Sequence, residues 1–472
     1  MHALSAAAGT GVVLGRRGRD GMSPLMVSIS GVRGLVGSDL TPDLIARWTA
    51  ALSGQLPPGP IVLGRDSRPS GEGFASVAAD LLASLGRQIW DLGIVPTPTV
   101  QLAVERWGAA GGLILTASHN PAEWNAMKFV GPDGTFLPSG AFEELRARVA
   151  PEGASFARGE GRAQRIDRSA EALALHRGAI ESRVDGARIR ERRPRVLLDC
   201  VHGAGGVLLP ELLRGLGAVV DVLHEEPHGR FPREPEPTGP ALEALSSEAA
   251  SRGAAIALAV DPDADRCAIA LPQGGVVGEE WTLPLVAAHL LAWRKGTVVT
   301  NLSTSTRLEA VAEAHGCRVE RTPVGEAHVV ARMRETRAVL GGEGNGGVID
   351  PEVHLGRDAA VAAAWLLEAH ATCKGGLMAL ASTLPPRYVL KAKLAVARGV
   401  PLTAYKAFIE TLLGGVESSI DGLRWSRPDG FVHLRSSATE PILRLVVEAS
   451  SEPEARGLLE RILGLCRDGG RG

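Results

Sequence analysis

Cysteine is scarce: the five residues Cys200, Cys267, Cys317, Cys373 and Cys466 stand far apart, with no Cys-x-x-Cys pair. That spacing indicates neither a disulfide framework nor a zinc site and suits a reducing, cytoplasmic setting. An excess of one charge is missing too, since the formal net charge is −2, so no nucleic-acid partner is expected. No apolar run approaches the roughly 20 residues of a membrane span, and no membrane partner is expected. The first 25 residues lack structure signals, and Arg16, Arg17 and Arg19 follow the small-residue run instead of preceding it, which speaks against a signal peptide. Residues 1–25 therefore read as a disordered extension, with Met22 or Met26 as alternative starts.

What is present is alternation. At 472 residues, 45% of them apolar, the chain suits roughly three or four domains with buried sheets. Ile61-Val62-Leu63 reads as a strand, 71–86 as a helix, 88–91 as a second strand and 111–115 as a third. Strands alternating with helices predict a parallel sheet covered on both faces, with sites beyond the carboxyl ends of its strands. The hydrophilic stretch 151–167 reads as a linker. A second series runs from strand 195–199 through Gly203-Ala204-Gly205-Gly206 and helix 241–252 to strand 254–260. A third holds helix 283–294, strand 297–300, helix 305–315 and strand 338–340, followed by helix 358–372. Beyond Pro385-Pro386 a shorter segment reads β-α-β-β-β-α and closes with helix 453–467.

Several loops carry groups suited to chemistry. Thr116-Ala117-Ser118-His119-Asn120-Pro121 follows an apolar run and ends at a proline that cannot extend a ladder, so Ser118 belongs on a sharp turn. Lys128 lies on a strand before the hairpin signal Gly131-Pro132-Asp133-Gly134, where the chain can return a cation beside Ser118. Asp261-Pro262-Asp263-Ala264-Asp265-Arg266 places three carboxylates at alternate positions of extended chain, turned towards one point. Three carboxylates that close need a cation, and an all-oxygen set favours Mg2+. A calcium loop of the EF-hand kind fails, because Arg266 replaces the needed glycine and Pro272 the bidentate glutamate. Gly342-Glu343-Gly344-Asn345-Gly346-Gly347 is no Walker loop, since no Gly-Lys-Ser/Thr follows, and its carboxylate and carboxamide suit hydroxyl recognition. Arg435-Ser436-Ser437-Ala438-Thr439-Glu440-Pro441 reads as an anion nest, and Ser30-Gly31-Val32-Arg33-Gly34 as a turn aiming a guanidinium at phosphate.

From about Ser28 to Pro441 these segments, in this order, resemble the α-D-phosphohexomutase superfamily, most closely its archaeal-type phosphoglucosamine mutases beside the phosphomannomutase/phosphoglucomutases. The resemblance implies an α/β fold of three similar βα-sheet domains plus a smaller α+β C-terminal domain around a central cleft. Their expected bounds are 26–165 for the phosphoserine domain, 166–277 for the metal-binding domain, 278–386 for the sugar-binding domain and 387–472 for the phosphate-binding domain. It implies Ser118, Lys128 and His119 as catalytic residues, and Ser118, Asp261, Asp263 and Asp265 as ligands of one Mg2+. The substrate would be held by Arg33, Arg266, Glu343, Asn345, Arg435, Ser437 and Thr439, with Glu343 and Asn345 on the 3- and 4-hydroxyls.

The reaction so implied interconverts hexose 6-phosphate and 1-phosphate through phospho-Ser118, with a bisphosphosugar as intermediate and activator. Glucosamine phosphate is the first expectation, with mannose and glucose phosphates as the alternative. A serine-dependent sugar phosphatase and a non-catalytic sugar-phosphate sensor are remoter readings. The partner is a small-molecule hexose phosphate, and oligomeric state is left open. Departures from the family pattern are local. Val27-Ser28-Ile29-Ser30 stands where Phe-Gly-Thr is usual, His202 stands for Asn and reads as structural, and Pro262 and Ala264 replace two glycines. Gly347 stands where many members have His, which leaves Lys128 the clearest acid/base candidate, and Ala438 would be strained by about 1 kcal/mol if its φ is positive.

Overall fold

Each short apolar run needs neighbours on both sides to satisfy its peptide groups, and the described residues meet that demand with four separate sheets. The structure is a computed structural model describing residues 12–14, 25–156, 164–272, 275–395, 406, 409–410, 412–414, 418–436 and 442–469. In the first sheet Ile61–Arg65 lies between Ile89–Ile94 and Gly111–Leu115, all parallel. Alternate side chains go to opposite faces: Ile61, Leu63, Leu113 and Leu115 pack on the side of Trp48 and Phe129, while Val62 and Ile114 pack beneath the helix Thr97–Trp107.

Alternation of strands and helices predicts parallel sheets, yet all three βα sheets are mixed. Gly111–Leu115 pairs antiparallel with Trp124–Val130, Ile256–Val260 with Cys267–Ala270, and Leu340–Glu343 with Gly347–Ile349. Connection length is the reason. A parallel return needs a crossover of about a dozen residues or more, and the connections here are only 116–123, 261–266 and 344–346. Those connections are the serine loop, the aspartate loop and the glycine-rich loop. Each polar loop is thus a reversal clamped between two hydrogen-bonded strands, which makes it stiffer than a free crossover.

The C-terminal sheet is antiparallel through Tyr388–Ala395, Ile442–Ala449, Gly430–Ser436 and Leu423–Arg427, with Leu458 and Ile462 of helix Glu452–Gly469 in its core. Its reversal 437–441, with Ser437, Ala438 and Thr439, lies outside the described residues, as does most of the helix expected between its first two strands. Two expectations need correction. Val12–Leu14, inside the segment read as disordered, forms a strand parallel to Tyr388–Ala395, and its backbone pairs with an edge that otherwise exposes unpaired peptide groups. Arg165–Asp167 pairs with Ile89–Ile94, so a boundary at 165/166 cuts a strand of the first sheet; a three-residue polar edge strand carries no apolar pattern to reveal it.

The second and third units share one hydrophobic core, running from Ile180 to Leu384. Helix Ala359–Thr372 lies within it, capped by the Asp358 carboxylate, which accepts from the N–H groups of Ala360 and Val361. Its apolar residues surround it, as a position buried on all sides requires. Among the described residues no helix is long and apolar enough to cross a membrane, and Cys200, Cys267, Cys317 and Cys373 are free.

Candidate active site

The serine loop is held from behind by a buried ion pair. Arg68 is fully buried and donates to the carbonyls of Ser118 and Asn120 at 2.6 Å each, of Trp124 at 3.0 Å and of Pro121. Its Nε pairs with Asp66 Oδ2 at 3.0 Å, and the same oxygen accepts from Thr116 Oγ1 at 2.6 Å. Phe231, from the second unit, lies 5.1 Å from the Arg68 guanidinium. These bonds maintain Ser118 at φ +49°, a left-handed conformation uncommon outside glycine. The expected sharp turn is present, and the carbonyls around it define where the hydroxyl points.

That hydroxyl points at the aspartates. Ser118 Oγ donates to Asp261 Oδ2 at 2.9 Å, and carboxylate oxygens of Asp261, Asp263 and Asp265 lie within 4.8 Å of one another, all buried. The aspartate loop turns tightly enough to put Ala264 at φ +51°, so strain of about 1 kcal/mol falls at one of the replaced glycines. Val201 and His202 share that strain at φ +50° and +54° in the neighbouring turn, where Gly203 admits the backbone of Pro262. Burial and then the charges of Asp265 and Asp263 push the Asp261 carboxyl well above its ordinary range. Burial would raise Asp263 too, but the Lys128 ammonium at 2.7 Å, with hydrogen bonds from Thr97 and Asp261, holds Asp263 below the usual carboxylate range.

A divalent cation fits this donor set. Asp263 Oδ1 and Asp265 Oδ1 are buried with no hydrogen-bond partner among the described residues, and two such oxygens beside a third carboxylate call for a positive ion. The second cluster of metal-ligand types behaves otherwise. His176 Nε2 and His354 Nε2 lie 2.7 and 3.2 Å from Asp358 Oδ2, while Oδ1 caps a helix, so this carboxylate is already satisfied as an interface network.

In front of Ser118 opens a cavity of about 840 Å3 lined by all four units. The first unit contributes Arg33, His119 and Lys128, the second Arg266 and the third Glu343 and Asn345; Arg435 enters from the fourth. Arg33 Nη1 donates to Asn120 Oδ1 at 3.2 Å, and Arg266 Nη1 donates to Glu236 Oε1 at 2.8 Å. His119 Nδ1 lies 3.4 Å from Ser118 Oγ; burial, then Arg266, pushes its pKa well below the ordinary histidine value, so the ring is neutral. Lys128 faces the aspartate loop, 2.7 Å from Asp263 Oδ2 and 3.7 Å from Asp265 Oδ2, instead of pairing with the serine hydroxyl. His202 does not line the cavity; its Nδ1 meets the Glu226 carbonyl and its ring stacks on His228.

Sequence reasoning missed several cavity residues. Glu326, Glu236, Asn301 and Arg357 line the cavity without belonging to any motif singled out above. Burial raises the Glu326 carboxyl although Arg357 opposes it. One legible signal existed for the support of the serine loop: Asp66 and Arg68, charged residues directly after an apolar strand, are costly to bury unless they hold something in place.

A hydroxyl against three buried carboxylates, faced by arginines across a cleft sized for a small polar molecule, defines an α/β enzyme built to move anionic groups. Family models for the phosphoglucomutase/phosphomannomutase α/β/α domains I, II and III match residues 26–154, 176–274 and 279–388, and the model for the C-terminal domain matches 392–465. The chain belongs to this family, within the α-D-phosphohexomutase superfamily, and is a phosphohexomutase, an intramolecular phosphotransferase of the isomerase class. It is 35% identical over 455 residues to a phosphoglucomutase/phosphomannomutase of Thermococcus kodakarensis, covering 94% of this chain and 98% of that protein. A probable phosphoglucosamine mutase of Methanopyrus kandleri is 32% identical over 443 residues, 93% of this chain and 97% of the other. The crystal structure of a putative phosphomannomutase from Thermus thermophilus matches with a TM-score of 0.79 at 28% identity, covering 94% of this chain and all of that one.

Proposed function

We propose that the enzyme interconverts hexose 6-phosphate and hexose 1-phosphate through phospho-Ser118, with glucosamine 6-phosphate and glucosamine 1-phosphate as the favoured pair. The observation that carries this reading is the 2.9 Å bond from Ser118 Oγ to Asp261 beside two carboxylate oxygens that have no hydrogen-bond partner among the described residues. In the forward half-reaction the Ser118 Oγ–P bond breaks, a bond forms from phosphorus to a sugar hydroxyl oxygen, and the proton of that hydroxyl is passed on through Lys128 to the freed Ser118 Oγ. The bisphosphosugar then reorients and returns its other phosphoryl group to Ser118. Mg2+ held by Asp261, Asp263, Asp265 and Ser118 would withdraw charge from the moving phosphoryl group. Lys128, set on the aspartates, counters that charge and is the proton carrier; neutral His119, close to Oγ, assists. Arg33, Arg266 and Arg435 hold phosphate, and Ser437 and Thr439 belong to the same grip. Glu343 and Asn345 grip the 3- and 4-hydroxyls.

The names of the relatives support glucosamine and mannose or glucose phosphates alike, and positions 3 and 4 are common to all three sugars. Discrimination then rests on position 2, where a missing hydrogen bond is worth about 1 kcal/mol, or less than tenfold. Measurable activity on glucose and mannose phosphates is expected beside a preference for glucosamine phosphate. The test is kcat/KM on the three sugars in wild type and Ser118→Ala, with mass spectrometry for phosphoserine. Ser118→Ala abolishes isomerisation; full turnover in that variant refutes the covalent route. A preference above roughly a thousandfold for glucose or mannose phosphate overturns the glucosamine assignment.

A further inference from the structure

Arg357 stands between the aspartate loop and the glycine-rich loop, and each of its three nitrogens faces a different carboxylate. Nη2 donates to Asp265 Oδ2 at 2.6 Å, Nη1 donates to Glu343 Oε2, and Nε lies 3.0 Å from Glu326 Oε2. All four side chains are buried, so the carboxylates would repel strongly without the shared cation. The other oxygen of Glu343 is also held, since Oε1 accepts from Asn301 Nδ2 at 2.7 Å and from the Gly325 N–H at 2.9 Å. A place for the arginine stem is built into the loop: a Cβ on Gly347 would lie 2.3 Å from Arg357 Cδ and 2.9 Å from Cγ. Gly347 has no left-handed φ. It is glycine for the room it leaves, not for backbone freedom.

We propose that Arg357 is a positioning residue that ties the aspartate loop to the sugar loop, so that the carboxylate of Glu343 is aimed at a sugar hydroxyl only while the guanidinium fork bridges to Asp265. A planar fork can meet three carboxylates at once, whereas a lysine offers one compact charge. The proposal rests on the reading of Glu343 as a hydroxyl binder.

The experiment compares kcat/KM for glucosamine 6-phosphate and its 3-deoxy and 4-deoxy analogues in wild type, Arg357→Met, Arg357→Lys and Gly347→Ala, and records half-saturating Mg2+ and thermal unfolding for each. In wild type the loss of a hydroxyl that Glu343 binds costs about tenfold to a hundredfold, the range for a hydrogen bond to a charged group. In Arg357→Met and Gly347→Ala that loss shrinks to within about threefold, the sign that residue and hydroxyl are coupled, and Arg357→Lys falls between. Half-saturating Mg2+ shifts by more than about threefold in Arg357→Met, because Asp265 loses its partner. Folded variants that discriminate against the deoxy sugars as wild type does overturn the proposal. If wild type ignores both hydroxyls, the reading of Glu343 falls instead, and unchanged Mg2+ dependence in Arg357→Met then overturns the bridge as well. Should the methionine variant fail to fold, Arg357→Lys decides, and wild-type discrimination in it refutes the role of the fork.

Discussion

Replacing Arg68 by methionine keeps a stem of similar length and removes the guanidinium that holds the serine loop. Four carbonyls, those of Ser118, Asn120, Pro121 and Trp124, lose the Arg68 donor, Pro121 keeping the Trp124 N–H at 3.1 Å, and Asp66 loses its ion-pair partner. Breaking a buried ion pair from one side costs about 3–5 kcal/mol. Asp66 keeps the bond from Thr116 Oγ1 and a backbone N–H at 2.9 Å, and burial already raises its pKa towards the neutral form, so the lower end of that range, about 3 kcal/mol, applies. The kinetic effect is of another kind. Arg68 lies behind the loop and does not line the cavity, so the apparent affinity for sugar phosphate should hold while turnover falls, by about a hundredfold for a displacement of the nucleophile near 1 Å. Steady-state kinetics and thermal unfolding of Arg68→Met measure the two effects. Adding Asp66→Asn separates them, because it removes the stranded charge and recovers the stability lost to it while the carbonyls still lack the guanidinium. Turnover within about threefold of wild type, or a loss expressed only in KM, refutes the idea that this pair positions Ser118.

Asp263→Asn removes one anionic ligand and the partner of Lys128; half-saturating Mg2+ should rise about tenfold or more in a metal titration, and activity indifferent to chelators would defeat the metal assignment. Arg435→Ala should raise KM more than it lowers kcat, since a phosphate grip acts in ground and transition states alike; a pure loss of kcat contradicts that role. His433 is fully buried, with Nδ1 2.8 Å from Ser303 Oγ and Nε2 2.6 Å from the Asp421 carbonyl, and burial lowers its pKa from 6.5 to about 4. Between those values the unfolded chain binds a proton that the folded one refuses, so stability is complete above pH 6.5 and falls with pH across that window, by about 3 kcal/mol in all. Thermal unfolding at pH 7 and pH 4.5 should show that slope, and His433→Gln should flatten it.

Local pattern by itself determined a good part of this protein. A run of apolar residues ending in Thr116–Pro121 demands a turn, carboxylates at 261, 263 and 265 share one side of extended chain, and the glycines at 344, 346 and 347 mark a turn just after Glu343. Such features depend on neighbours within a few residues; the meeting of Ser118 with the aspartates, and its place with Glu343 on one cavity, depends on segments far apart in the chain. The reversal of each loop between antiparallel strands was decided by tertiary pairing, because strand direction depends on the partner and not on the run itself. The same holds for the buried charges. Arg68 reaches Ser118 across 50 residues of chain and Arg357 reaches Asp265 across 92, and no periodicity links positions so far apart. Strain, too, needed the fold. The replaced glycines were visible as a departure, but only closure of the aspartate loop over Gly203 put the positive φ at Ala264. A chain reads its own turns and strands from adjacent residues; which charges it can bury is settled only when distant segments meet and exclude water between them.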